Sequence, residues 1–256
     1  MTWETSFQHN YRAMHRFFIP PESFDGDTVT VSRGPARQIT RVLRLKPGDR
    51  IIVLDNTGWE YETAIKTLSH DTVTGDIVRK APGAAEPAVM VTLCQALIKA
   101  DKFEFLLQKG TELGVTCFWP FVSERCVAAR PSDEKVERWK NVIREAAEQS
   151  GRATLPELYP TASFEDLCQP SPMPSMVLWE HEKSQGISTA LKSTQFRETR
   201  LFRLFVGPEG GFTEAEIALA RQKGILPVGL GKRILRAETA GPVAVSAIMY
   251  EMGELG

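Results

Sequence analysis

Two apolar runs, each ending in a glycine loop and separated by a single helix, constrain this chain more than anything else in it. The first run, Leu204-Phe205-Val206, has the character of a buried parallel strand and stops at Gly207-Pro208-Glu209-Gly210-Gly211. Adjacent glycines straight after a strand mark backbone that takes positive φ or lets a ligand come very close. Thr213 with Glu216 reads as a capping box, so the spacing predicts a helix to about Lys223, with Gly224 as its stop. A second apolar run, Ile225 to Leu230, ends at Gly231. After Ile234-Leu235-Arg236-Ala237-Glu238-Thr239-Ala240 comes a last apolar helix, expected to carry Pro242 in its first turn. One helix apart is the spacing of neighbouring parallel strands, and ligands of open α/β sheets sit beyond the carboxyl ends of such strands.

The loops lack the phosphate-binding patterns G-x-x-x-x-G-K-[ST] and G-x-G-x-x-G. Glu209 inside the first loop would repel phosphate and tolerate a cationic ligand, such as one with a sulfonium and an ammonium group. Glycines alone can serve only tight turns. Two such loops, with Arg236 and Glu238 set in an apolar frame, favour a binding site.

GPEGGF followed by LGKRILRAETA closely resembles the ribosomal RNA small subunit methyltransferase E family of the SPOUT superfamily, and the likeness extends more loosely from Met14 to the C-terminus. The resemblance implies an S-adenosylmethionine-dependent enzyme that methylates N3 of one uridine in 16S ribosomal RNA of the small ribosomal subunit. It implies a cytoplasmic homodimer, and an α/β fold with a SPOUT-type parallel sheet and C-terminal trefoil knot behind a PUA-like β-barrel. General rules of chain topology do not lead to a knot. On this reading the cofactor is held by Glu180, Gly207, Pro208, Glu209, Gly210, Gly211, Leu230, Gly231, Ile234, Leu235 and Arg236. Arg236 is the candidate catalytic cation for a uridine anion. Glu238 orients Arg236 or accepts a proton, since i and i+2 share a face of an extended segment; a structural ion pair between the two is the alternative. RNA contacts fall to Arg16, Arg37, Arg41, Arg44 and Arg152.

Two other functions compete. A non-catalytic RNA-binding protein would show decayed GPEGG or ILRAET segments, and both are intact. A dinucleotide-dependent enzyme needs a glycine fingerprint after the strand Val89 to Ile98, and none follows. A formal net charge of −1 removes global basicity as a sign of a nucleic-acid partner, so an RNA surface has to be a local patch. Cys94, Cys117, Cys126 and Cys168 form no C-x-x-C pair, and with the histidines scattered a metal site is not expected. No apolar run is long enough to span a bilayer, and the thiols suit a reducing cytosol.

Residues 1–13 match nothing in the family and are expected to be a disordered extension or the product of an alternative start. Residues 14–80 read as short strands separated by turns, a small β-barrel or sandwich that fits the PUA-like domain. One helix, roughly Pro35 to Leu45, interrupts them, with Ile39, Val42 and Leu43 as its apolar stripe and Arg37, Arg41 and Arg44 opposite. No acidic residue at i±4 neutralises these arginines, whose guanidiniums suit phosphate. Gln38 stands where the family often has histidine. Residues 81–88 form a linker, and in 89–256 strands and helices alternate as in a parallel sheet covered on both faces. There Asp101 and Glu104 are expected to cap a helix, and Glu148 to Arg152 either cap another or border the substrate pocket.

Overall fold

The structure, a computed structural model, describes residues 14–255. The extension at 1–13 lies outside the described residues. The chain divides into two compact units: the described residues up to Glu86 with Ala147–Leu155, and Pro87–Ala146 with the residues from Pro156 onward.

In the first unit β1 (Arg16–Phe18), β2 (Phe24–Asp25), β3 (Thr28–Ser32), helix α1 (Arg33–Arg37), β4 (Arg50–Leu54), β5 (Trp59–Leu68) and β6 (Thr72–Pro82) follow in order. The sheet runs β1-β4-β5-β6-β3-β2 and is antiparallel except where β1 lies beside β4. Strand β4 is buried continuously from Ile51 to Leu54, which requires cover on both faces. Ile51 and Val53 join Phe17, Ile19, Val29 and Val31 in one cluster. Ile52 and Leu54 join Phe18 in another, whose cover is Ala147 and Ala153. A segment far along the chain thus completes the small unit.

Glu86 fixes that segment. Its carboxylate accepts the backbone N–H groups of Ala153 (2.8 Å) and Thr154 (2.9 Å), the Thr154 hydroxyl (2.5 Å) and Arg152 Nη2 (3.1 Å). Glu148 accepts the Phe18 N–H at 2.9 Å.

The helix expected over Pro35 to Leu45 is shorter and changes pitch. Helix α1 ends at Arg37, and a π-turn over Gln38–Val42 follows, with Leu43 N–H bonding to the Gln38 carbonyl at 2.9 Å. The wider turn rotates Val42 off the expected stripe into solvent, while Ile39 stays buried. Arg44 then takes φ +53° and turns the chain away.

The second unit contains β7 (Met90–Ala96), α2 (Ala100–Glu112), β8 (Cys117–Val122), most of α3 (Asp133–Ser150), β9 (Glu157–Leu158), β10 (Ala162–Ser163), α4 (Phe164–Leu167), β11 (Ser175–Leu178), α5 (Ile187–Leu191), α6 (Thr194–Arg197), β12 (Leu201–Val206), α7 (Glu214–Gln222), β13 (Leu226–Val228) and α8 (Ala237–Glu251). Its sheet is parallel throughout, in the order β10-β8-β7-β12-β11-β13 with β9 beside β8. Separate apolar clusters cover its two faces, one around Leu93, Leu204, Val245 and Ile248, the other around Cys94, Phe121, Val177 and Phe205.

The capping box at Thr213 and Glu216 forms as expected. Three local expectations do not hold. Strands β12 and β13 are not neighbours, because β11 pairs with both. Asp101 and Glu104 do not cap α2: Lys99 is its N-cap residue without a side-chain cap, and Glu104 instead receives Arg138 at 2.7 Å. Helix α8 begins at Ala237, so Pro242 lies in its second turn. The carbonyl of Arg236 starts it early by accepting the N–H groups of Thr239 and Ala240, each at 2.9 Å.

Glu86→Ala removes the acceptor of two backbone N–H groups and the counter-charge of the buried Arg152, and is expected to destabilise the first unit by about 3 kcal/mol. Burial raises the Glu86 carboxyl pKa, but the Thr154 hydroxyl and the Arg152 charge outweigh it and hold the group below its usual range. A depressed folded pKa means the contribution is full above the unfolded value of about 4.3 and fades as pH falls through the folded value. Urea midpoints should therefore separate wild type from Glu86→Ala clearly at about pH 7 and less at about pH 3.

Candidate active site

A cavity of about 350 Å³ opens at the carboxyl ends of β11, β12 and β13. Because β11 lies between the other two, the residues after it form the middle wall. Leu178, Trp179 and Glu180 come from β11 and its exit. Val206 to Glu209, Gly211 and Phe212 come from the β12 exit, and Gly229 to Glu238 from the β13 exit.

Glycine is required here at two positions. Gly211 has φ +68°, and a Cβ there would collide with the Glu180 carboxylate. Gly229 sits against the Glu182 carbonyl, where a Cβ would clash, and its N–H bonds to the Gln185 carbonyl at 2.9 Å. The two outer loops are thus packed directly on the loop that follows β11.

Ten of the eleven residues expected to hold a cofactor line this cavity: Glu180, Gly207, Pro208, Glu209, Gly211, Leu230, Gly231, Ile234, Leu235 and Arg236. Gly210 does not. Its α-carbon faces Arg125, whose Nη1 donates to the Gly210 carbonyl at 3.0 Å, so the second glycine of the pair secures the outside of the loop.

The charge pairs differ from the expected ones. Arg236 and Glu238 were to share a face of an extended segment, but Glu238 lies in the first turn of α8, where i and i+2 diverge. Glu238 instead holds Lys102, with Oε1 3.2 Å from Nζ. The same ammonium lies 4.0 Å from Glu209 Oε1. Partial burial raises the Glu238 pKa. Its own backbone N–H, Lys102 and Arg236 outweigh that and hold the carboxyl below its usual range. Arg236 is exposed rather than buried, and it makes no ion pair among the described residues. Lys102 is not among the site residues expected from the sequence. Its position one turn into α2, straight after β7, was the signal that it could reach the carboxyl edge of the sheet.

Two buried polar atoms near the cavity have no partner among the described residues: the indole N–H of Trp179 and Oε1 of Gln95. Gln95 turns its Nε2 to the carbonyls of Ala96 (3.1 Å) and Gly207 (3.4 Å). His181 does not line the cavity; its ring packs edge-on against Trp179.

The arginines expected to meet RNA divide into two groups. Arg152 is 3% exposed and paired with Glu86, and the Arg16 side chain is 11% exposed and paired with the buried Glu60. Both serve the interior of the first unit, so contact with a phosphate backbone does not fit either. Glu148 and Arg152 do not line the cavity either. Arg37, Arg41 and Arg44 are exposed. Arg37 is not free of acidic partners: Asp71, distant in sequence, receives its Nε at 2.5 Å, and this bond with that from His70 draws the Asp71 pKa down to about 2. Arg41 and Arg44 make no ion pair among the described residues.

No cluster of metal-ligating side chains occurs among the described residues, and no described helix is long and apolar enough to cross a membrane. An RNA methyltransferase domain family matches residues 85–249, and an RNA methyltransferase PUA domain family matches residues 39–78. A ribosomal RNA small subunit methyltransferase E from Synechocystis is 37% identical over 91% of this chain and 77% of its own length. The Bacillus subtilis protein of that name is 34% identical over 93% of this chain and 97% of its own. The crystal structure of a ribosomal RNA small subunit methyltransferase E from Neisseria gonorrhoeae bound to S-adenosyl methionine superposes with a TM-score of 0.84 at 30% identity, covering 93% of this chain and 97% of that one. A Legionella pneumophila methyltransferase structure with bound cofactor SAM superposes with a TM-score of 0.83 at 27% identity, covering 93% and 97%. Sequence and fold agree along nearly the whole chain, which belongs to the ribosomal RNA small subunit methyltransferase E family.

Proposed function

We propose that this protein transfers a methyl group from S-adenosylmethionine to N3 of a uridine in 16S ribosomal RNA. The observation that carries the reading is the cavity built from three loops at the carboxyl edge of a parallel sheet, in a chain of this family. The cavity fits the cofactor on its own terms. Gly211 packs its backbone against Glu180 because no Cβ intervenes, the Trp179 N–H awaits an acceptor, and Glu180, Glu209 and Glu238 offer anions to a cationic ligand.

When bound, the cofactor supplies an electrophilic methyl on a sulfonium. The protein's task is to position the acceptor and exclude water. Uridine N3 carries a proton that has to leave before its lone pair can attack. Arg236, exposed at the cavity wall and in no ion pair among the described residues, is placed to stabilise the resulting anion. Glu238 is a poor base with its depressed pKa and its Lys102 partner, and its role is to hold Lys102.

The same reading extends to the rest of the chain. Residues 14–80 act as a PUA-like RNA-binding domain, 81–88 as its linker and 89–256 as the SPOUT methyltransferase domain with a trefoil knot near its C-terminus. Arg37, Arg41 and Arg44 contact RNA phosphates, with Arg37 giving up Asp71 to do so. The protein works in the cytoplasm as a homodimer. On α8, Val243 and Tyr250 are 41% and 72% exposed, and Ile234 before the helix is 84% exposed, which leaves apolar surface for a second copy.

Mass spectrometry of 16S ribosomal RNA treated with the protein and S-adenosylmethionine tests the reaction: one methyluridine is expected, and an unmodified RNA rules it out. Gly211→Val should weaken S-adenosylmethionine binding about tenfold or more by calorimetry, roughly 1.4 kcal/mol, whereas Gly210→Ala should leave it nearly unaltered. Arg236→Ala should slow single-turnover methyl transfer roughly 10²- to 10³-fold with cofactor affinity nearly kept. Arg236→Lys should recover only part, because a point charge does not reproduce the planar fork. Light scattering should find a dimer at micromolar concentration, and a fully active monomer would remove the homodimer.

A further inference from the structure

A second cavity, of about 720 Å³, abuts the first. The two share Lys102 and Glu209. Its lining comes from the β7–α2 junction (Ile98, Lys99, Ala100), from the segment before α3 (Val127 to Arg130, Ser132) and from Lys135 in that helix. Four of its lining side chains are cationic, Lys99, Lys102, Arg130 and Lys135, and one is acidic, Glu209.

That acid is already engaged, by Lys102 Nζ at 4.0 Å and the Lys99 N–H at 3.5 Å. The other three cations are not. Lys99, Arg130 and Lys135 make no ion pair among the described residues. Arg130 donates one bond to the Thr161 carbonyl at 3.2 Å, and Lys135 rests over the Trp139 ring at 5.5 Å. Asp101, Asp133 and Glu134 lie in the first turns of α2 and α3 but do not line the cavity. Val127, 95% exposed at this cavity, adds an apolar contact inside a ring of charge.

We infer that this second cavity receives the sugar–phosphate backbone of the RNA segment carrying the target nucleotide. The assignment rests on the proposed methyl transfer to ribosomal RNA. Transfer needs acceptor and donor about 3–3.5 Å apart, so the target base has to enter the first cavity. An enzyme acting on a base takes that base out of the stack, and its phosphates stay attached on the side from which it entered. The shared wall at Lys102 and Glu209 is such an entrance. Three cations that make no ion pair among the described residues suit the phosphates, and Val127 suits an unstacked base beside them. The two glutamates reached through the first cavity, Glu180 and Glu238, do not extend into the second, so backbone anions and a cationic donor are kept to separate compartments.

The test uses the full chain with Lys99→Gln, Arg130→Gln and Lys135→Gln, singly and together, against 16S ribosomal RNA. Thermal melting of each variant separates a lost contact from a lost fold. The triple variant should bind RNA at least about tenfold more weakly, and the slope of log affinity against log salt should fall by about 2, at about 0.7 per lost phosphate contact. Calorimetric affinity for S-adenosylmethionine should stay within about twofold of wild type. A folded triple variant with wild-type RNA affinity and salt slope, still methylating, would overturn the assignment while leaving the methyltransferase reading intact. A wild-type protein that binds the cofactor yet modifies no RNA would overturn that reading and this assignment with it.

Discussion

Parallel pairing on both sides of β11 brings the site into existence. Met176 and Val177 lie in register with Leu204 and Phe205 of β12 on one side and with Leu226 and Pro227 of β13 on the other. All three strands point the same way, so their three exits fall at one edge, where helices cannot cover the sheet. The close packing of those exits then depends on absent side chains: Gly211 leaves room for Glu180, and Gly229 leaves room for the Glu182 carbonyl. A shift of one residue in either pairing would turn each strand's buried face outward and separate the loops.

Charge is handled in opposite ways inside and at the edge of the fold. Buried arginines are committed to internal partners. Arg203 within β12 donates to the Ser175 hydroxyl and to the carbonyls of Leu167 and Gln169, and Arg152 is tied to Glu86. Such groups cost too much to leave without partners in a low-dielectric interior. At the cavities, Arg236, Lys99 and Lys135 make no ion pair among the described residues, and their charge remains available to a ligand. Burial with an internal partner therefore separates structural arginines from candidate functional ones, a division that residue type alone does not show.

What could be read in the sequence follows the range of the interaction responsible. GPEGG after an apolar run, the Thr213–Glu216 capping box and the doubly covered character of β7 are local, and each is present in the fold. Ten of the eleven residues named for the cofactor fell in one cavity because they lie on short loops that strands deliver to one edge. Most of the failures were long-range. The insertion of β11 between β12 and β13 depends on tertiary pairing. The partner of Glu238 is Lys102, which comes from a separate helix, and that of Arg37 is Asp71, which lies across a loop. The π-turn that exposes Val42 breaks the 3.6-residue period from which the stripe was read. Gly210 looked like its neighbour Gly211, and only the position of Arg125 distinguishes them.

Lys102 links the two cavities energetically as well as in space. Methyl transfer to a deprotonated uridine cancels a positive charge against a negative one, so walls that exclude water favour the reaction. Carboxylates that grip the positive partner too firmly would oppose it, because that attraction is stronger before transfer than during it. With its ammonium 3.2 Å from Glu238 and 4.0 Å from Glu209, Lys102 offsets part of their charge and leaves Glu180 as the carboxylate of the cavity without a lysine beside it. The same ammonium faces the second cavity, where positive charge is needed for phosphate. One side chain at the boundary thus moderates the anionic field on the donor side and adds to the cationic field on the acceptor side, and that dual role explains why a lysine stands where the two cavities meet.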